Sequence, residues 1–381
     1  MGRAGPSMVC GEKITVKRAT ESDLPSLLAI ISHYRRESTE HLNGLLEVET
    51  TTPGELEGLA EALAAPDSAF FLAEASPKEP IAALWCRHLE HAPPVYQPQR
   101  SILSVKAFHS STDGMTRIGV HLFDAAIEWA KSVSKQDELF VSSVTWAHDP
   151  AVREVIRSFH RTSTLVGNER YRELFTLNGN DARMRPATQW YFGRSEDVTS
   201  ALSEGAPPAT KVRRATESDL PRMVELSHKR RHQYARYQPV FWRPAEDADE
   251  KQVGFFGWLL QQEAPLVLVS EAGDGSLNGF IIALRMERLP MNDPAFRLRN
   301  GLHVDDFAVA DDDVWSTVGK DLLLAAVTAH QERVGTDAAI NVISGTHDLA
   351  KRRLLESDAR MRALFTWDIL PAGNLYEGPD Y

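Results

Sequence analysis

The chain has 381 residues, 43% of them hydrophobic and 25% charged, and carries a formal net charge of −11. The length suits two domains of roughly 100–200 residues better than one core, and the acidic balance argues against a general nucleic-acid binder, which presents a basic face. There are two cysteines, Cys10 and Cys86, no apolar run of the ~20 residues a membrane span needs, no signal-peptide core, and Pro6 where a myristoylation motif wants Ser or Thr; the expectation is a cytoplasmic protein without a disulfide framework or a membrane partner.

Residues 1–12 read as a tail. Residues 14–18 alternate as a short strand, and Thr20 follows as a helix N-cap, with Asp23 in the place of the usual capping-box Glu. Pro25 falls in the first turn, where its missing N–H does no harm, and the helix runs to about residue 37. A second helix is predicted over 54–64, then strands over 69–75, 81–89 and 102–108. Ile118, Leu122, Ala125, Ala126 and Trp129 recur at helical spacing. A strand over 139–144, a helix over 151–159 and strand-like stretches at 171–176 and 189–192 complete this part. Residues 195–209 are small, polar and Pro-containing, which is linker composition. Beyond them come strands at 211–214, 266–270, 279–289, 303–309, 339–343 and 363–370, and helices at 217–234, 246–262, 318–333 and 349–356.

The second series repeats the first. Residues 18–25 read RATESDLP, and residues 214–221 read RATESDLP again. Phe108 and Phe307, Gly119 and Gly319, and His148-Asp149 and His347-Asp348 recur at a nearly constant offset of about 200 positions. That spacing is too long for a solenoid repeat. It marks a duplicated domain, 13–194 and then 210–381, each of α+β class with a mixed, mostly antiparallel sheet flanked by helices.

With this order of elements and these motifs, the chain resembles the GCN5-related N-acetyltransferase (GNAT) superfamily. The opening strand, RATESDLP and helix look like that fold's first strand and helix. In the family, a central strand leads through Arg/Gln-x-x-Gly-x-Gly/Ala into a helix whose loop amides hold the pyrophosphate of acetyl-CoA. The physical basis is general: N–H groups and the positive end of a helix form an anion site. In the second copy the resemblance maps this site onto Phe307, Val309, Val314, Trp315, Ser316, Thr317, Val318, Gly319 and Lys320. Gly319 matches the last glycine, while Val314 replaces Arg/Gln and Thr317 replaces the first Gly. The acidic run Asp311–Asp313 would repel a polyanion unless it points away. The first copy matches only at Gly119, with Arg117 at the first-Gly position, where it either meets a phosphate or is a solvated charge at a helix start. The family's thiolate-protonating Tyr falls on Val155 or Ile156 in the first copy and on Leu354 or Leu355 in the second, so neither copy has it.

Attack on a thioester needs a neutral amine, and a carboxylate can take its proton. By family practice this group lies on the central strand, where the second copy has Asp305 and Asp306 against Lys106 and Ala107 in the first. Strand alternation allows at most one of the two to face the cleft; the other reading makes both edge polar groups. His303 and His347 are weaker candidates, and no cluster has metal-ligand spacing. Tyr234, Tyr237, Phe241 and Trp242 form an aromatic segment that either holds an apolar or cationic acceptor or packs a helix end. Arg285, Glu287 and Arg288 read as solvated charges. The resemblance implies acetyl transfer to the amine of a small molecule in the second copy, without metal or nucleic acid, by a monomer or homodimer. The rival reading is a non-catalytic binding protein built from two decayed acetyltransferase domains.

Overall fold

The computed structural model describes residues 7–9, 12–39, 44–48, 53–76, 79–89, 95–96, 101–109, 115–133, 139–146, 185–204, 208–237, 242–288 and 296–370. The N-terminal series is β1 (Ser7–Val9), β2 (Glu12–Arg18), α1 (Leu24–Thr39), β3 (Leu46–Val48), α2 (Pro53–Ala64), β4 (Ser68–Ser76), β5 (Glu79–Leu89), β6 (Ser101–His109), α3 (Met115–Val133), β7 (Leu139–Trp146) and β8 (Arg185–Arg194). The C-terminal series is α4 (Ser195–Ser203), β9 (Lys211–Arg214), α5 (Leu220–Tyr237), α6 (Ala248–Leu260), β10 (Leu266–Glu271), β11 (Leu277–Arg285), β12 (Phe296–Leu298), β13 (Leu302–Val309), α7 (Lys320–Val334), β14 (Ala339–Gly345), α8 (Leu349–Arg353) and β15 (Arg362–Leu370). The α+β class expected from the sequence is the one observed. The predicted helix at 151–159 and strand at 171–176 lie outside the described residues. So do Cys10, His148, Asp149, Val155, Ile156 and Phe241.

Among the described residues thirteen strands form one sheet, in the order β1-β2-β4-β5-β6-β7-β15-β8-β14-β13-β11-β10-β9. Helices cover both faces, so strands such as β10, LVLVSE, read as continuous apolar runs. Leu266 and Leu268 enter the core under α7, while Val267 and Val269 enter the core under α5 and α6. In the N-terminal half α3 covers one face and α1 the other.

RATESDLP folds the same way twice. In each copy Thr caps a one-turn 3₁₀ helix, ESD, and the Asp side chain answers on the Thr backbone N–H. A cation on the preceding strand holds that Asp: Lys17 to Asp23 at 2.8 Å, and Arg213 to Asp219 through two bonds of 2.7 and 2.9 Å. The Arg213 pair, with the Thr216 bonds, lowers buried Asp219 to about 2 against burial's opposing effect. A carboxyl depressed in the folded state stabilises above its ordinary value of 3.8 and loses that contribution as pH falls toward about 2. Asp219→Asn is therefore expected to cost about 2 kcal/mol at neutral pH and to flatten the acid limb of stability in that window, as read by urea melts at stepped pH.

The centre of the sheet departs from two side-by-side domains. β8, the last strand of the first series, pairs with β14 of the second, from Ala339↔Arg194 to Gly345↔Thr188. β15, the last strand of the second series, pairs with β7 of the first, from Phe365↔Trp146 to Leu370↔Val141. β8 and β15 also pair with each other. Each series therefore donates its final strand to the other. A two-stranded ribbon, β3 with β12, and a shared core that brings Leu27, Phe70 and Phe192 together with Phe296, Leu298 and Phe365 tie the halves again. Residues 195–203, expected as linker, form α4, because Val198, Ala201 and Leu202 lie on one helical face and are buried; Val198 and Leu202 enter the core under α7. The expected N-terminal tail contains β1, which hairpins onto β2.

Candidate active site

β13 pairs in parallel with β14 only from Leu302↔Ile340 to Val304↔Val342, although the strands continue to Val309 and Gly345. Past Val304 the two edges are no longer paired, which leaves a gap in the ladder between them. On its other edge β13 stays paired to β11, with a register break between Ile282↔Asp306 and Ala283↔Val304. Asp305 is the extra residue of a β-bulge at the apex of the gap. The bulge corrects the alternation expected from the sequence. Val304 and Phe307 both enter the core under α7 with two residues between them, so Asp305 and Asp306 both turn to the α5 face. The N-terminal half differs: β5 and β6 pair without a break from Ala82↔His109 to Leu89↔Ile102, and the Lys106 ammonium lies 5.3 Å from the centre of the Trp85 ring.

Asp306 accepts a hydrogen bond from Ser227 Oγ at 3.1 Å. One turn along α5, the Arg230 guanidinium bonds the Phe307 carbonyl, donates to Tyr234 Oη at 3.1 Å and lies 3.6 Å from the Asp348 carboxylate. Asp305 is solvent-exposed yet crowded enough to be desolvated, as befits a residue within a concavity. Desolvation raises its carboxyl above the ordinary value; neighbouring Asp306 adds to this, and His303 opposes it. His303 is buried, with Nδ1 2.7 Å from Asn341 Oδ1, and burial lowers it, so it serves as a neutral peg between β13 and β14.

Aromatic rings wall the α5 side. Tyr237 stacks on His347 at 4.6 Å, Tyr234 meets His347 edge-on at 4.8 Å and Trp242 at 5.3 Å, and Trp242 meets Trp367 at 5.5 Å. Burial lowers His347 to about 4, so the imidazole is neutral. The N-terminal half joins this wall: Tyr96 packs on Trp242 at 5.0 Å, and its backbone bridges to Pro244. Tyr96 also feels the charges of Asp306 and Arg230, while burial, the largest effect, keeps its phenol protonated.

At the far end of β13, Asp311 precedes a 3₁₀ turn, Asp312–Val314, followed by a π-turn, Trp315–Gly319, that opens α7. Ser316 and Thr317 are exposed, Val314 and Lys320 half-buried. Phe307, Val309, Trp315 and Val318 are core side chains, so toward a ligand they offer main chain only. Trp315 lies edge-on to Phe307 at 4.8 Å. A Cβ on Gly319 would come within 2.6 Å of the Trp315 ring, so glycine is required here for packing. Lys320 donates to the Glu204 carbonyl at 3.0 Å. Asp311, Asp312 and Asp313 are all exposed, with Asp311 paired to Lys229 at 2.9 Å. Lys351, fully buried, crosses the gap: its ammonium donates to the Ile343 carbonyl at 2.8 Å and lies 5.0 Å from the centre of the Phe307 ring. Burial lowers it well below the ordinary lysine value. Leu354 and Leu355 are buried in the core.

The geometry thus gathers Asp305, Asp306, Tyr234, Tyr237 and Trp242 on one side of the gap. The turn over 314–320 lies at its far end. Sequence reasoning missed Ser227, Arg230, Tyr96, Asp348 and Lys351. Ser227, Arg230 and Tyr234 do carry a signal, since they form a polar stripe at one-turn spacing on α5. Among the described residues no group of three or more His, Cys, Asp or Glu is placed to hold a metal, and no helix is long and apolar enough to cross a membrane.

No family model matches the chain, and no curated protein matches it. Several solved structures are similar to it. A GCN5-related N-acetyltransferase from Sphaerobacter thermophilus is 13% identical, with 94% of this chain and 96% of that chain covered and a TM-score of 0.47. A tandem GNAT protein from the clavulanic acid biosynthesis pathway is 12% identical, covering 94% of this chain and 97% of that chain, with a TM-score of 0.47. A GCN5-related N-acetyltransferase from Kribbella flavida is 12% identical, with coverages of 95% and 72% and a TM-score of 0.38.

Proposed function

We propose that the C-terminal half is an N-acyltransferase that moves an acetyl group from acetyl-CoA to the amine of a small molecule. The observation that carries this reading is the gap in the ladder between β13 and β14 beside a bulge bearing two carboxylates. Unpaired strand edges offer backbone groups to an extended pantetheine arm. The main chain over 314–320, with the Ser316 and Thr317 hydroxyls, offers donors to the pyrophosphate at a helix start. Asp306, fixed by Ser227, draws the acceptor ammonium in, and Asp305, with its raised carboxyl, takes the proton that frees the lone pair. The nitrogen attacks the thioester carbonyl, the C–N bond forms, the C–S bond breaks, and the second proton on the nitrogen passes to water. With leucines at 354 and 355, the departing thiolate takes its proton from water. Tyr96, Tyr234, Tyr237 and Trp242 hold the body of the acceptor, which makes the N-terminal half a shaper of the C-terminal site.

The rival, a binding protein without catalysis, is favoured by one observation: Lys351 already occupies the gap and a β14 carbonyl. Calorimetric titration with acetyl-CoA followed by thiol release across a panel of small amines separates the two. The expected result is one acetyl-CoA per chain, a ligand-dependent rise in melting temperature and free thiol only when amine is present. Tyr96→Ala is expected to raise the acceptor KM without changing acetyl-CoA affinity. Absence of acetyl-CoA binding, or binding without amine-dependent thiol release, favours the rival and ends the acyltransferase reading.

A further inference from the structure

A cavity of about 140 Å³ lies at the other end of the C-terminal half. It is framed by Ala264 and Leu266 at the start of β10, Ala283 and Arg285 at the end of β11, Leu302 at the start of β13, and the last turns of α7. The turn over 314–320 opens the opposite end of that helix, on the order of 20 Å away at 1.5 Å per residue, so this space is separate from the cleft at Asp305.

The cavity has an apolar interior and a basic mouth. Arg285 and Arg333 are exposed at the rim, and His330 is buried beside them. His330 is held through Nε2, 2.6 Å from the Asn300 carbonyl, and Arg333 reaches the Ala264 carbonyl at 3.3 Å. Among the described residues no carboxylate lines the space, and neither Arg285 nor Arg333 is in an ion pair. His330 is lowered first by burial and further by both guanidiniums, so the charges of Arg285 and Arg333 both reach the buried ring. Converging like charges without a counter-charge are relieved by an anion, and an apolar void of roughly 150 Å³ admits a benzene ring.

We propose that this cavity binds a small monoanion with an apolar body, a monocarboxylate of about benzoate size. Its carboxylate meets Arg285 and Arg333, and its ring or branched chain lies against Leu266, Ala283 and Leu302. The site is independent of the acyltransferase reading, and its test uses no activity.

Sodium benzoate is titrated into the full-length protein against the neutral isostere benzyl alcohol, following the His330 ring resonances by NMR and the melting temperature. The expected result is a saturable shift of the His330 resonances and a rise in melting temperature with benzoate. His330 should become easier to protonate, and benzyl alcohol should bind at least about tenfold more weakly. Arg285→Ala with Arg333→Ala, both at exposed positions, should weaken benzoate by about tenfold or more and leave benzyl alcohol unaffected. The proposal is overturned if benzoate leaves His330 unmoved, or if the double variant binds benzoate as tightly as the parent.

Discussion

Replacing Asp305 by Asn is expected to lower kcat for acetyl transfer by about 100-fold or more, the scale of a lost general base, while acetyl-CoA affinity stays unchanged. The parent rate should rise with pH through the raised carboxyl of Asp305, because only the carboxylate accepts the amine proton. That limb should vanish in the variant. Stability carries the opposite sign. A carboxyl raised in the folded state contributes fully below its ordinary value and loses that contribution as pH rises through the folded one. At neutral pH the Asp305 carboxylate is a net cost, so the Asn variant should melt at or above the parent. A variant that loses activity and stability together, or keeps the parent's pH limb, would show that Asp305 is a structural residue and not the base.

A fragment starting at residue 208 is expected to stay unfolded when expressed alone, although it contains every element of the second repeat. It lacks β8, leaving β14 with an open edge over the seven residues Ala339–Gly345. It also lacks Tyr191, Val198 and Leu202, all buried in the core under α7. At about 1.5–3 kcal/mol for each large apolar side chain, these losses match the 5–15 kcal/mol of net stability typical of a folded protein. Adding residues 1–204 as a second polypeptide should restore folding, read as a cooperative melt that neither piece shows alone. A cooperative melt of the 208–381 fragment by itself would refute this.

Local features were legible in the sequence. Thr20 and Thr216 announce their helices because a cap acts within four residues. β10 reads as a strand because its burial on both faces appears as an unbroken apolar run. What escaped depends on partners distant in the chain. Nothing in the residues of β8 or β15 tells which edge they join, since both are ordinary strands. The bulge at Asp305 exists only relative to the register of β11, so two adjacent Asp residues looked like alternating ones. Tyr96 sits in a Pro-flanked stretch without period, and its neighbour Trp242 lies far along the chain. Helix α4 was hidden by brevity: three apolar residues amid polar ones do not make a period until a surface is there to receive them.

The crossed final strands also order events during synthesis. Phe365 pairs with Trp146, more than two hundred positions upstream. While the ribosome works through the second repeat, β7 has emerged with no partner on one side, and it acquires one only when the last few strands leave the exit tunnel. An unsatisfied strand edge is a template for wrong association, and pairings this remote form slowly. Nascent chains of this protein should therefore depend on holding chaperones until β15 has been made, and stalls between β7 and β15 should be more harmful than stalls before β7.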